Sequence, residues 1–172
     1  MSSQFGKIAM PDITFCTAWR KSDVSLARGA KTFWNEIGVV MTPDEMEQRA
    51  SELCALAYSG GKVVAVSTAA PFDYLRLRSR FAYYRTTIAP EFRRQRLAAR
   101  LCVYSRDRLA EWAHEHPEAK IMGLFIVLQA QEFRSRQFVP AYTQLGLRLT
   151  LVGYTPGGHQ MRVEWFPDAS VE

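Results

Sequence analysis

The chain has 172 residues, 48% of them hydrophobic and 23% charged. That length supports one domain with a full core, and that balance excludes a disordered or low-complexity protein. The formal charge of +5 admits a phosphate-rich ligand, nucleic acid or an anionic surface and does not choose among them.

No run of 18 apolar residues occurs, so no membrane-spanning helix is expected. Met1 to Pro11 lacks a basic region followed by an apolar run. A signal peptide is therefore not expected, and the cytoplasm is the expected location. Cys16, Cys54 and Cys102 are far apart, without the close pairing of a zinc site. They read as reduced core residues, and no metal site is expected.

In chain order, residues 13–18 form a short β-favouring run. Ser22 can cap a helix ending near Gly38, with Leu26, Phe33, Trp34 and Ile37 as its apolar positions. Thr42-Pro43-Asp44-Glu45 is a stronger start signal, combining a cap, a proline at the first helical position and a capping box. That helix is predicted to run to about Leu53, and a strand over 54–58 follows. Gly60-Gly61 marks a tight hairpin turn into a partner strand over 62–69, which Pro71 interrupts. A further strand covers 79–88, with Tyr83 and Tyr84 on opposite faces.

The longest helical pattern spans 93–114, with Leu97, Leu101, Tyr104, Leu109 and Trp112 on one face. Residues 121–128 are almost wholly apolar, as in a strand buried on both faces. A helix is predicted over 131–145, with Pro140 in its second half and Gly146 at its end. Two antiparallel strands, 148–154 and 160–166, flank Pro156-Gly157-Gly158. The order β-α-α-β-β-β-α-β-α-β-β gives a mixed sheet with helices packed on it, an α/β or α+β domain.

The informative stretch runs from Thr86 to Leu101, where a strand passes through a short loop directly into a long helix. N–H groups at a helix start lack partners inside the helix, and the helix dipole favours an anion there. Small side chains (Ala98, Ala99) and cationic ones (Arg93, Arg94, Arg96) stand beside that start. Together they suit a pyrophosphate.

This segment resembles motif A of the GNAT superfamily of acyl-CoA-dependent N-acyltransferases, Gln/Arg-x-x-Gly-x-Gly/Ala after a strand ending in aliphatic-x-Pro. Ile88-Ala89-Pro90 matches the strand end, Arg93 the first signature position and Ala98 the last. Arg96 replaces the middle glycine. Downstream, Ala141-Tyr142-Thr143-Gln144-Leu145-Gly146-Leu147 is similar to the family's small-Tyr-x-x-Leu-Gly-Phe element, with Leu147 in place of Phe and Ser135 where an Asn is frequent.

The resemblance implies a mixed, mostly antiparallel sheet of six to seven strands flanked by about four helices, with residues 1–172 forming a single domain. It implies transfer of an acetyl or other acyl group from acetyl-CoA (or another acyl-CoA) to an amine of a small molecule or protein, by direct attack. Backbone groups of Thr87 and Ile88 would meet pantetheine. The stretch Arg93, Arg94, Gln95, Arg96, Leu97, Ala98 and Ala99 would hold the pyrophosphate, and Tyr142 would protonate the leaving thiolate. The strand before motif A carries no Glu, so the base is open between Glu132 and a water path. Two alternatives stay beside this one: a catalytically silent CoA-binding domain, and a basic nucleic-acid-binding or regulatory domain built on the arginines from Arg76 to Arg100. Homodimerisation through the final strands is compatible with the sequence.

Overall fold

The computed structural model describes residues 12–93, 95–129 and 139–171. Its strands are β1 (Ile13–Thr17), β2 (Leu53–Ser59), β3 (Lys62–Tyr74), β4 (Ser79–Ile88), β5 (Ile121–Leu128), β6 (Ala141–Gln144), β7 (Leu147–Tyr154) and β8 (Gln160–Trp165). The α-helices among the described residues are α1 (Val24–Glu36), α2 (Pro43–Ser51) and α3 (Leu97–Glu115). The strands join one sheet in the order β1-β2-β3-β4-β5-β8-β7-β6, and every neighbouring pair is antiparallel except β4 and β5. The expected mixed, mostly antiparallel α+β sheet is present, with eight strands where six or seven were predicted.

Helices cover both faces. Leu56 of β2 and Val66 of β3 pack with Ala30, Phe33 and Trp34 of α1 and Ala50 of α2. On the opposite face, Leu97 and Leu101 of α3 pack on Ala55, Ala57 and Val64. Further along α3, Cys102 and Leu109 meet Ala82 and Tyr84 of β4 and Leu124 and Ile126 of β5. Each fully buried leucine in these layers contributes about 1.5–3 kcal/mol. A chain of hydroxyls fixes α3 against the strands: Ser67 and Ser105 lie 3.0 Å apart, and Tyr84 donates to Ser105 at 3.4 Å. Tyr84 is thus the core-facing member of the tyrosine pair, and Tyr83 faces the other way.

Several boundaries depart from the sequence expectation. Asp23, not Ser22, caps α1, its carboxylate accepting from the N–H groups of Ser25 and Leu26. The Thr42–Glu45 capping box forms as expected. Pro71 does not interrupt β3, because β2 ends opposite Thr68 and leaves β3 with β4 as its one partner there. A missing N–H is tolerated on such an open edge. The strands over 79–88 and 121–128 have the expected limits.

Residues 141–144 form a strand rather than the end of a helix. Pro140 lacks the N–H a helix needs and pushes the preceding residue toward extended backbone. Leu145 and Gly146, at φ 50° and 82°, close a two-residue hairpin to β7. Residues 131–138 of that predicted helix, with Glu132 and Ser135, lie outside the described residues.

Candidate functional site

The predicted helix over 93–114 begins later than expected. Residues Pro90–Phe92 make one 3₁₀ turn, Arg93 is extended, and α3 starts only at Leu97. Arg96 is the break between them. It sits at φ 57° in the left-handed region, where a non-glycine side chain costs about 1–2 kcal/mol. A glycine has no such cost, so the residue replacing the motif glycine has kept the backbone shape a glycine would take.

The start of α3 is also chemically distinct. Asp23 caps α1, and Thr42, Asp44 and Glu45 cap and neutralise the start of α2. The start of α3 has no side-chain cap and no acidic residue in its first turn. Leu97 is buried and anchors the turn, while Arg93, Gln95, Arg96 and Ala98 are exposed around it and Ala99 is half-buried. Arg93 Nε reaches the Ile88 carbonyl at 3.3 Å, and Gln95 Nε2 reaches the Glu91 carbonyl at 2.9 Å, so both side chains brace the loop. Arg94 lies outside the described residues. The uncapped N–H groups, the positive dipole end and a first turn free of acidic residues make this helix start suited to an anion.

The parallel junction of the sheet opens toward this turn. The β4–β5 pairing ends at the rung of Tyr84 and Ile126. Beyond it β4 runs on to Ile88 paired with β3, and β5 runs on to Leu128 paired with β8. Among the described residues, no strand fills the wedge between Arg85–Ile88 and Val127–Leu128. Thr87 and Ile88 form one wall of that wedge, and the loop from Ala89 carries the same wall into the start of α3.

Solved structures with this architecture are numerous. The loading GNATL domain of CurA from Lyngbya majuscula superposes with a TM-score of 0.56 at 11% identity, over 90% of this chain and 97% of that one. The Drosophila melanogaster polyamine N-acetyltransferase gives 0.51 at 11% identity, over 90% and 98%. The protein yncA from Salmonella typhimurium, solved with its cofactor acetyl-CoA, gives 0.51 at 13% identity, over 92% and 96%. This chain has the GNAT fold. No family profile matches the sequence, and no curated protein matches it significantly.

Within this GNAT fold, Thr87, Ile88, Arg93, Gln95, Arg96, Leu97, Ala98 and Ala99 come together at one wedge and one helix start. Tyr142 does not join them directly. It lies on β6, the outer edge of the sheet, with β7 and β8 between it and β5. Its ring packs, half-buried, against the cluster on α3's face that also receives Leu128, and its hydroxyl donates to Gln144 Oε1 at 2.8 Å.

On the sheet face away from α3, the GNAT wedge has surroundings the sequence reading did not assemble. Arg85 is the first residue past the last β4–β5 rung. It is paired with Glu52 at the end of α2, donates to Thr68 Oγ1 at 3.3 Å, and lies 5.3 Å from the Tyr83 ring centroid. Glu52 also accepts from Gln48 Nε2 at 3.1 Å. Arg49 stands beside them, its guanidinium pulled below its usual value by partial burial and then by the like charge of Arg85. The only signal in the sequence was the density of arginines. Arg49 and Glu52 lie toward the end of a helix whose sequence motif, the capping box, marks only its start.

Proposed function

We propose that this chain is an acyltransferase of the GNAT type, a single domain that moves an acetyl or other acyl group from acyl-CoA to an amine. The observation that carries this reading is the wedge between β4 and β5, which opens onto a helix start left without cap or counter-charge. The residues present fit the cofactor. The α3 start offers N–H groups and guanidinium charge to a pyrophosphate, and the wedge offers unpaired strand backbone to the amides of pantetheine.

Bound there, acyl-CoA supplies the thioester carbonyl that an amine attacks. Thr87 and Ile88 orient the pantetheine arm through their backbone. The N–H groups from Gln95 to Ala99, with Arg93 and Arg96 around them, hold the pyrophosphate and so fix the thioester's depth in the wedge. Tyr142 is proposed, from its sequence context, as the donor that returns a proton to the departing thiolate. To do so its hydroxyl must turn from Gln144. A second reading, a CoA-binding protein without turnover, is favoured by the edge position of Tyr142 and is separated from the first by an acetyl-transfer assay.

The direct test is calorimetric titration of acetyl-CoA into the wild type and Ala98→Glu. Ala98 is exposed in the first turn of α3, so a glutamate there is tolerated by the fold and repels a pyrophosphate. Micromolar binding by the wild type and at least a tenfold loss in the variant is the expected result. A folded wild type that binds neither acetyl-CoA nor longer acyl-CoAs would remove this reading and favour the basic nucleic-acid-binding alternative.

A further inference from the structure

The acceptor side of the wedge has a definite chemistry. Alternation along β4 puts Tyr83 and Arg85 on the face opposite Tyr84, which packs under α3. On that open face lies a cleft of about 220 Å³ between the α1–α2 loop, α2 and β4. Its charged walls are Arg85, Arg49 and Glu45.

Charge pairing in the cleft is unequal. Glu45 accepts from the Thr42 N–H at 2.7 Å as part of the capping box. Glu52, just beside the cleft, is taken by Arg85 and Gln48. Arg49, half-buried, has no hydrogen bond or ion pair from its guanidinium among the described residues. Glu45 and Glu52 offset part of its charge through space without bonding to it, so its N–H donors stay open to a carboxylate that a ligand brings.

Next to this cation the same face turns aromatic. Tyr83 lies 5.7 Å from Phe72 and 5.9 Å from Phe125, and Phe72 lies 4.8 Å from Phe125. Phe72 remains 36% exposed. The Tyr83–Phe125 pair is the rung just before the last one of the β4–β5 ladder, so these rings border the mouth of the wedge.

We infer that the acceptor is an amine that also carries a carboxylate and an apolar body, such as a free amino acid with an aromatic side chain. Arg49 receives the carboxylate, and the accessible parts of Tyr83 and Phe72, backed by the buried Phe125 ring, receive the apolar body. The amine is then left at the mouth of the wedge, beside Arg85. A polycationic acceptor carries neither the carboxylate nor the apolar body that this face is built to take. This inference rests on the acyltransferase reading.

The test compares phenylalanine with phenethylamine, which differ by the carboxylate, and both with spermidine, using acetyl-CoA and a thiol-release assay. We expect kcat/KM for phenylalanine to exceed that for phenethylamine by about tenfold or more, as a charge-assisted contact allows. Spermidine should be the poorest of the three. In Arg49→Gln the ratio of the two aromatic acceptors should collapse toward one, and in Arg49→Lys most of it should return. Taking the ratio within each variant cancels any loss of folded protein. Equal or better use of phenethylamine, a ratio that survives in Arg49→Gln, or failure of all three acceptors by a protein that binds acetyl-CoA would each overturn the inference while leaving the cofactor site in place. Failure to bind acetyl-CoA would instead overturn the reading it rests on.

Discussion

Arg96 holds a left-handed backbone conformation with a side chain that does not favour it. Only the backbone of this residue has to face the proposed pyrophosphate, so the substitution keeps the shape of the cradle at an energetic cost. Arg96→Gly should therefore stabilise the fold by up to about 1 kcal/mol, somewhat less than the full left-handed penalty because glycine also loosens the unfolded chain. Urea unfolding of the two proteins measures this directly, and a destabilised variant would show that the Arg96 side chain makes contacts that matter more than its backbone. In the sequence only its place at the motif's glycine position pointed to this geometry, since an arginine carries no left-handed preference of its own. Tyr142 shows the converse. Its motif was legible, yet the strand that carries it was not. If its hydroxyl protonates the thiolate, Tyr142→Phe lowers kcat by roughly a hundredfold with little change in KM. A fall of less than threefold would assign the tyrosine to packing alone.

Elements differ in how their ends are satisfied, and this separates structural helices from the proposed binding helix. The ends of α1 and α2 are closed by Asp23 and by the Thr42–Glu45 box. Hydrogen bonds from Ser25 and Thr42 hold these carboxyl groups below their ordinary values of 3.8 and 4.5. A depressed carboxyl group stabilises the fold above its ordinary value, and that contribution is lost as pH falls through the lower folded value. The variant Asp23→Asn, Glu45→Gln should therefore melt below the wild type near neutral pH, with the gap narrowing as pH falls below about 4. Melting curves across that range decide it, and a gap that stays constant would mean the charges are not involved. The capping box of α2 was readable because its residues are adjacent in sequence. Strand β6 was misread because the Tyr-x-x-Leu-Gly spacing fits a helix end, whereas Pro140 and the positive φ of Leu145 and Gly146 dictate a hairpin.

At the scale of the whole molecule, the sheet is two antiparallel halves, β1 to β4 and β5 with β8, β7 and β6, meeting at one parallel junction. That junction carries paired residues only from Arg80–Ile121 to Tyr84–Ile126. The wedge beyond it was implied by the resemblance, which sets pantetheine against Thr87 and Ile88, but not by the strand patterns themselves, because β4 and β5 each read as complete strands and the missing rungs concern how two distant segments meet. The cleft at Arg49 and Arg85 was hidden for the same reason, since it is assembled from α2, the loop before it and β4. A ligand seated in the wedge touches both halves and binds the folded chain alone. At a hundredfold excess over its dissociation constant such a ligand adds about 2.7 kcal/mol of stability. For a chain of this size each kcal/mol moves the melting temperature by roughly 2–4 °C, so saturating acetyl-CoA should raise it by roughly 5–10 °C. Differential scanning fluorimetry of the wild type and Ala98→Glu tests this in parallel. A shift in the wild type that disappears in the variant places the ligand at the start of α3. An equal shift in both would mean that acetyl-CoA grips the protein somewhere other than the turn where the two halves part.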